Sequence, residues 1–145
     1  MNTQQTFYAQ LGGEAGVREL AERFYDHMDT LDEARTVRAL HARSLRSSRE
    51  KLFLFFSGWL GGPNLYIEKY GHPRLRGRHL PFSIGEQERD QWMLCMRKAL
   101  EDMHLPPTLR SQLEAAFWKT ADFMRNRPER TETQGLKIFP GNPES

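Results

Sequence analysis

The segment from Ser47 to Trp59 constrains this chain more than any other. Within it Leu52, Phe53, Leu54, Phe55 and Phe56 follow one another without a polar break. Ser47 and Glu50 stand at the spacing of a helix-starting capping box. Gly61-Gly62-Pro63 then stops the element, because glycine accepts positive φ and proline cannot continue the hydrogen-bond ladder. The segment therefore reads as a helix, and a helix apolar on nearly every side expects to be covered on two faces.

The rest of the chain supplies helices to do so. Val17, Leu20, Ala21, Phe24 and Met28 recur at three- and four-residue steps, which predicts a helix after Gly12-Gly13 with one buried face. Ser83 and Glu86 repeat the capping-box spacing, and Trp92, Met93, Met96, Leu100 and Met103 form a stripe on a long helix to about His104. Pro106-Pro107 breaks the chain, and Thr108 is placed to cap a last helix with Leu109, Leu113, Ala116, Phe117, Thr120 and Phe123 inward. Between the second and third helices, Gly71, Pro73, Gly77 and Pro81 punctuate a stretch that reads as loop with short helical turns. No stretch alternates like a strand and no repeat is visible, so the class is all-α with four main helices. A length of 145 residues suits one domain, expected over 1–127, followed by a flexible C-terminal tail over 128–145 that is rich in proline.

Composition removes several function classes. Nine Phe, four Tyr and three Trp are ample for a core and exclude a disordered chain. Lys and Arg total 21 against 19 Asp and Glu, a net charge of +2 without a like-charged run, which is not a nucleic-acid-binding pattern. The single cysteine, Cys95, excludes an intramolecular disulfide and any multi-cysteine metal site, and fits a reducing compartment. It reads as a small buried packing residue. The N-terminus is polar and no apolar run approaches the ~18 residues of a membrane span, so a cytoplasmic protein without membrane or nucleic-acid partners is expected.

The histidines are His27, His41, His72, His79 and His104, and none pairs at i,i+4 as in a zinc-binding helix. His79 differs in its setting, Arg76-Gly77-Arg78-His79-Leu80-Pro81-Phe82. A neutral imidazole there suits a single axial ligand, which is all that haem iron requires of the protein. A surface histidine is the plainer reading, and the local sequence leaves both open.

Larger blocks carry a resemblance. Trp59-Leu60-Gly61-Gly62-Pro63, then Tyr66, then the run from Tyr70 through His72 to Phe82, and Glu88-Arg89-Asp90-Gln91-Trp92-Met93-Leu94-Cys95-Met96 together resemble a group II truncated haemoglobin. The likeness extends from about Phe7 to Phe123 and includes Gly12-Gly13. It implies a shortened globin fold, a two-over-two α-helical sandwich around haem b and its iron, held non-covalently since no CxxCH motif is present. It also implies roles. His79 matches the proximal iron ligand, and Trp92 would direct its indole N–H over the distal face. Tyr25, following Phe24, would bring its hydroxyl into the distal pocket. His41 lies where the group carries an aromatic or histidine against the haem, and a one-residue slip would put Leu40 there instead. Ser48 takes the position of the distal histidine of other globins, leaving a gap at the haem edge, with Leu52 one turn later. Phe24, Phe55, Leu60, Tyr66, Phe82, Ile84 and Met96 are candidate haem walls. Arg49, Lys51, His72, Arg76 and Arg78 are candidate partners of the haem propionates, Lys51 and Arg78 foremost.

The function implied is reversible binding of dioxygen and other diatomic ligands. Two charge-assisted hydrogen bonds of ~1.5–3 kcal/mol would slow ligand release by roughly 10²–10⁴, which argues against rapid oxygen transport and for redox or detoxification chemistry. An enzyme with peroxidase-like or nitric-oxide dioxygenase activity is the alternative. With no GxGxxG fingerprint in the chain, it would depend on an external reductase. Composition alone would give a haem-free helical interaction module, and a monomer and a homodimer are equally compatible with the sequence.

Overall fold

Helices form where the apolar spacing predicts them, and glycines decide where two of them meet. The structure is a computed structural model that describes residues 5–74, 77, 82 and 84–126. A short helix α1 (Phe7–Leu11) is capped by the Thr6 hydroxyl, which accepts the Ala9 N–H at 3.0 Å, and ends on Gly12 at φ 106°. Then come α2 (Gly13–Thr30), a 3-10 turn (Asp32–Ala34) leading into α3 (Arg35–Arg38), α4 (Arg46–Trp59), α5 (Leu65–Tyr70), α6 (Glu86–Asp102) and α7 (Pro107–Phe123). The four long helices are α2, α4, α6 and α7, and no strand occurs among the described residues. The fold is all-α and two-over-two: α2 packs on both α4 and α6, and α6 packs on α7.

Val17, Leu20, Phe24 and Met28 of α2, Met93, Met96 and Leu100 of α6, and Leu113 and Phe117 of α7 are all buried in one core. Each such side chain stabilises the fold by about 1.5–3 kcal/mol relative to exposure. Helix α4 is covered on two sides, as its composition requires. Phe53, Leu54 and Phe56 enter the core, while Leu52, Phe55 and Trp59 stay half-buried. Ser57, the buried polar residue of this helix, donates its hydroxyl to the Pro63 carbonyl at 2.7 Å and so ties the turn to the helix it ends. At that turn the Tyr8 N–H donates to the Leu60 carbonyl at 2.8 Å. A Cβ on Gly62 would stand 2.4 Å from the Tyr8 ring, so this glycine both ends α4 and receives α1.

The helix starts differ from the sequence expectations. Helix α4 begins at Arg46, with the Ser44 hydroxyl accepting the Arg46 N–H at 3.2 Å, and Ser47 lies exposed inside the first turn. Helix α6 begins at Glu86, and it is Glu88 whose carboxylate accepts the N–H of Gly85 at 2.7 Å, in place of a Ser83–Glu86 box; Ser83 lies outside the described residues. Helix α7 starts on Pro107, whose missing N–H costs nothing at the first helical position, so Thr108 is not its cap. Phe123 is 59% exposed, not inward. The buried stripe runs Leu113, Phe117, Ala121, Met124, and a helix turning ~100° per residue carries position 123 off it. The proposed tail, 128–145, lies outside the described residues. Among the described residues no helix is long and apolar enough to cross a membrane.

Candidate functional site

A cavity of about 390 Å³ opens between the two helix layers, with walls from α2, α3, α4, α5, α6 and α7. Its position follows from the half-buried face of α4. Leu52, Phe55 and Trp59 pack against the core on one side and line the space on the other.

Neutral polar groups gather at the α2–α4–α6 side. Tyr25 is buried and lines the cavity, and its hydroxyl hydrogen-bonds with that of Ser48. Burial pushes the Tyr25 phenol well above its ordinary value, opposed by the Ser48 hydrogen bond and the Arg49 charge, so the group is a neutral hydroxyl at every physiological pH. The His41 ring meets the Tyr25 ring edge-on at 5.6 Å. His41 Nδ1 stands 3.0 Å from the Val37 carbonyl, which can only accept, so Nδ1 carries the proton and, in the neutral ring, Nε2 does not. Val37 is itself held by its N–H donating to the Gln91 side chain at 2.8 Å. Trp92 lines the cavity with its ring tilted on Phe24 at 4.9 Å and near Phe117 at 6.1 Å. Its indole N–H has no hydrogen-bond partner among the described residues.

The cavity gathers ten of the site residues predicted from sequence: Tyr25, His41, Ser48, Lys51, Leu52, Phe55, Tyr66, Phe82, Ile84 and Trp92. Both Leu40 and His41 line it, so the one-residue alternative resolves into two neighbours sharing one wall. Lys51 is exposed, with Nζ 5.5 Å from the Tyr70 ring centre.

Five predicted wall or rim residues stand elsewhere. Phe24 is fully buried behind the wall, its ring 4.9 Å from both the Tyr25 and Trp92 rings, so it backs the donors without touching the space. Met96, one turn beyond Trp92, faces the α2–α6 core, and Leu60 is buried at the α4 turn against Tyr8. His72 is exposed and its Nδ1 accepts the Arg74 N–H at 3.1 Å within its own loop. Arg49 does not line the cavity either. Its guanidinium turns to Glu22 at 2.7 Å and Asp26 at 2.9 Å. His79, Arg76 and Arg78 lie outside the described residues.

Sequence reasoning did not assign several wall residues. Phe117, Thr120, Ala121 and Met124 of α7 line the cavity, as do Val37, Phe56, Trp59 and Pro73. Glu88 and Arg89 do so too, and their spacing of four and three residues before Trp92 places them on its face, a signal available in the sequence. Arg89 spends its charge on protein carboxylates, Asp90 at 2.9 Å and Asp122 at 2.8 Å. Asp122 also takes Arg125 at 2.7 Å, and the two cations, Arg89 foremost, hold its carboxyl below the usual range despite some burial. Cys95 is buried in the core with its thiol pushed up to about 11 by burial, which leaves it an unreactive packing residue.

The donor set fits a haem. The walls are aliphatic and aromatic, as a flat macrocycle requires; neutral donors gather at one side for a bound ligand; and Lys51 supplies a cation at the rim. Among the described residues no cluster of three His, Cys, Asp or Glu could hold a bare metal ion.

Fold and cavity thus define a ligand-binding helical sandwich of the globin kind. Residues 6–126 match the bacterial-like globin family. The group 2 truncated hemoglobin YjbI of Bacillus subtilis is 33% identical over 117 residues, covering 81% of this chain and 86% of that protein. The cold-adapted truncated hemoglobin of the Antarctic marine bacterium Pseudoalteromonas haloplanktis superposes with a TM-score of 0.83 at 46% identity, over 86% of this chain and all of the other. The group II 2-on-2 hemoglobin of Agrobacterium tumefaciens gives 0.83 at 42% identity, over 88% and 98%. The chain belongs to the bacterial-like globin family, among the group II truncated haemoglobins. That membership carries haem, its iron, and binding of diatomic ligands.

Proposed function

We propose that the chain holds haem b non-covalently through His79 and binds dioxygen reversibly with slow release, a behaviour suited to redox or detoxification chemistry in the cytoplasm and not to oxygen transport. Haem, when bound, supplies an iron at which a diatomic ligand is held and gains negative charge. The observation that carries this reading is the unspent indole N–H of Trp92 on a cavity wall where the Tyr25 hydroxyl is already engaged by Ser48. An indole anchored by its ring on Phe24 loses little freedom when it donates. Trp92 is therefore the principal donor and Tyr25 the secondary one, with Ser48 holding the tyrosine and Leu52, Phe55, Tyr66, Phe82 and Ile84 excluding water around them. Lys51 and, in sequence terms, Arg78 pair with the propionates.

Trp92→Phe keeps an aromatic ring and removes the donor. If that donor stabilises the ligand by ~2 kcal/mol, oxygen release in stopped flow accelerates roughly 30-fold. Wild-type release from this variant would reject the reading. His79→Gly should hold haem stably only with added imidazole, and a Soret spectrum unchanged without imidazole would reject the ligand assignment.

One observation favours a second reading as a peroxidase-like enzyme served by an external reductase. His41, tied through Nδ1 to the Val37 carbonyl, stands edge-on to the buried Tyr25 ring on the cavity wall, where a histidine is a candidate general acid–base group. Peroxide turnover that falls in His41→Leu while oxygen release stays near wild type would support it.

A further inference from the structure

One side chain fastens the end of α7 to the chain that leads into α6. The Asn126 N–H donates to the Ile84 carbonyl at 2.8 Å. Its Oδ1 accepts the Ile84 N–H at 2.9 Å, and its Nδ2 donates to the Phe82 carbonyl at 2.9 Å. A carboxamide is suited to this because it holds an acceptor and a donor at a fixed angle, so it satisfies an irregular segment as a neighbouring strand would. Ile84, 8% exposed, and Phe82 both line the cavity, so the segment being held is cavity wall. A second tie braces the same corner from the helix side, where Asp122 of α7 takes Arg89 of α6 at 2.8 Å.

Phe82 follows His79 by three residues in the chain. We propose that Asn126 is a positioning residue for the iron–histidine bond. By gripping Phe82 and Ile84 it fixes the cavity wall that follows His79 by three residues in the chain. Asn126 touches neither ligand nor macrocycle in this role and acts only through the backbone it holds. The inference rests on His79 being the iron ligand, as proposed above.

The test uses the full-length haem-loaded protein and two readouts: the iron–histidine stretching band of the ferrous form by resonance Raman, and the rate of haem transfer from the ferric form to excess apomyoglobin. Asn126→Ala removes the side-chain bonds to Ile84 and Phe82 and should shift or broaden the band and speed haem loss about tenfold or more. Asn126→Asp keeps the acceptor for the Ile84 N–H and loses the donor to Phe82, so it should fall between wild type and Asn126→Ala. Leu109→Ala lowers stability in the core far from this corner and should leave the band in place. An Asn126→Ala protein with wild-type band and wild-type haem loss overturns the proposal. If that variant does not fold, a wild-type band and rate in Asn126→Asp overturns it equally. A band shifted as far by Leu109→Ala would reduce Asn126 to general stability and also overturn it. Failure of the underlying reading looks different: the wild type itself would then lack the band, or His79→Gly would retain it.

Discussion

The cavity has two polar walls built on opposite principles. At the α2–α4–α6 side stand three neutral groups, the Tyr25 and Ser48 hydroxyls and the Trp92 indole, with the His41 ring edge-on to Tyr25. At the α6–α7 corner the wall carries the charged Glu88 and Arg89, and Arg89, its side chain only 12% exposed, pairs with Asp122, which lies off the wall and also holds Arg125. A buried charge must be paired within the protein, so Arg89 is consumed by Asp90 and Asp122 and has little left for a ligand. A neutral donor costs far less to bury unpaired, and it can wait for a partner that the protein does not supply. The first wall therefore keeps an uncommitted donor in the Trp92 indole, while at the second an ion pair ties α6 to α7.

The comparison can be broken first where both walls share a support. Phe117 lies 5.2 Å from Trp59 and from Phe56 and 6.1 Å from Trp92. Phe117→Ala should destabilise the fold by about 3–5 kcal/mol in denaturant unfolding and loosen the Trp92 wall with it. The loss of Trp92 as a donor, at roughly 30-fold in oxygen release, comes next. Tyr25→Phe should do less, and on the proposed reading, in which both donors act on one ligand, the double variant should be non-additive. Rapid release from Tyr25→Phe beside wild-type release from Trp92→Phe would invert the order of the two donors.

Smaller effects sharpen the contrast between the walls. Arg89→Met should cost about 1 kcal/mol in stability, discounted for the partial exposure of Asp122, and change oxygen release by less than about twofold, since a spent charge contributes little to the ligand. The pH dependence differs in sign between the walls. Asp122 titrates below its unfolded value near 3.9, so its contribution is full above that pH and is lost as pH falls through the lower folded value. Asp122→Asn should flatten the acid limb of stability. Tyr25 stays protonated in the fold while the unfolded chain ionises above about 10, so stability falls with rising pH there, and Tyr25→Phe should flatten the alkaline limb. Smallest of all, Cys95 with its thiol near 11 should resist alkylation at pH 8 until the chain unfolds.

The residues that resisted reading from sequence did so for a common reason. Phe117 and Thr120 have the spacing of an inward helix face, and that spacing is identical whether the face meets another side chain or an empty space. The same ambiguity worked in reverse for Met96 and Leu60, which stand beside pocket residues in sequence and pack into the core. Ser47 misled because a serine and a glutamate at capping distance say nothing of which way the preceding chain arrives. Ser44 bonds the first turn while Ser48 is claimed by Tyr25.

What the sequence determined by itself is the set of helices and their buried stripes, because apolar periodicity and Gly–Pro punctuation act within a turn or two of each residue. It also determined, through ordered motifs, the kind of molecule this is. The tertiary structure alone decided which apolar residues border a space and which fill one, and whether Arg89 faces a ligand or a carboxylate. It alone paired Asn126 with Ile84 and Phe82 across 42 and 44 residues of chain. Such matters turn on which surfaces of separate helices come to face each other, and no local pattern encodes that distance.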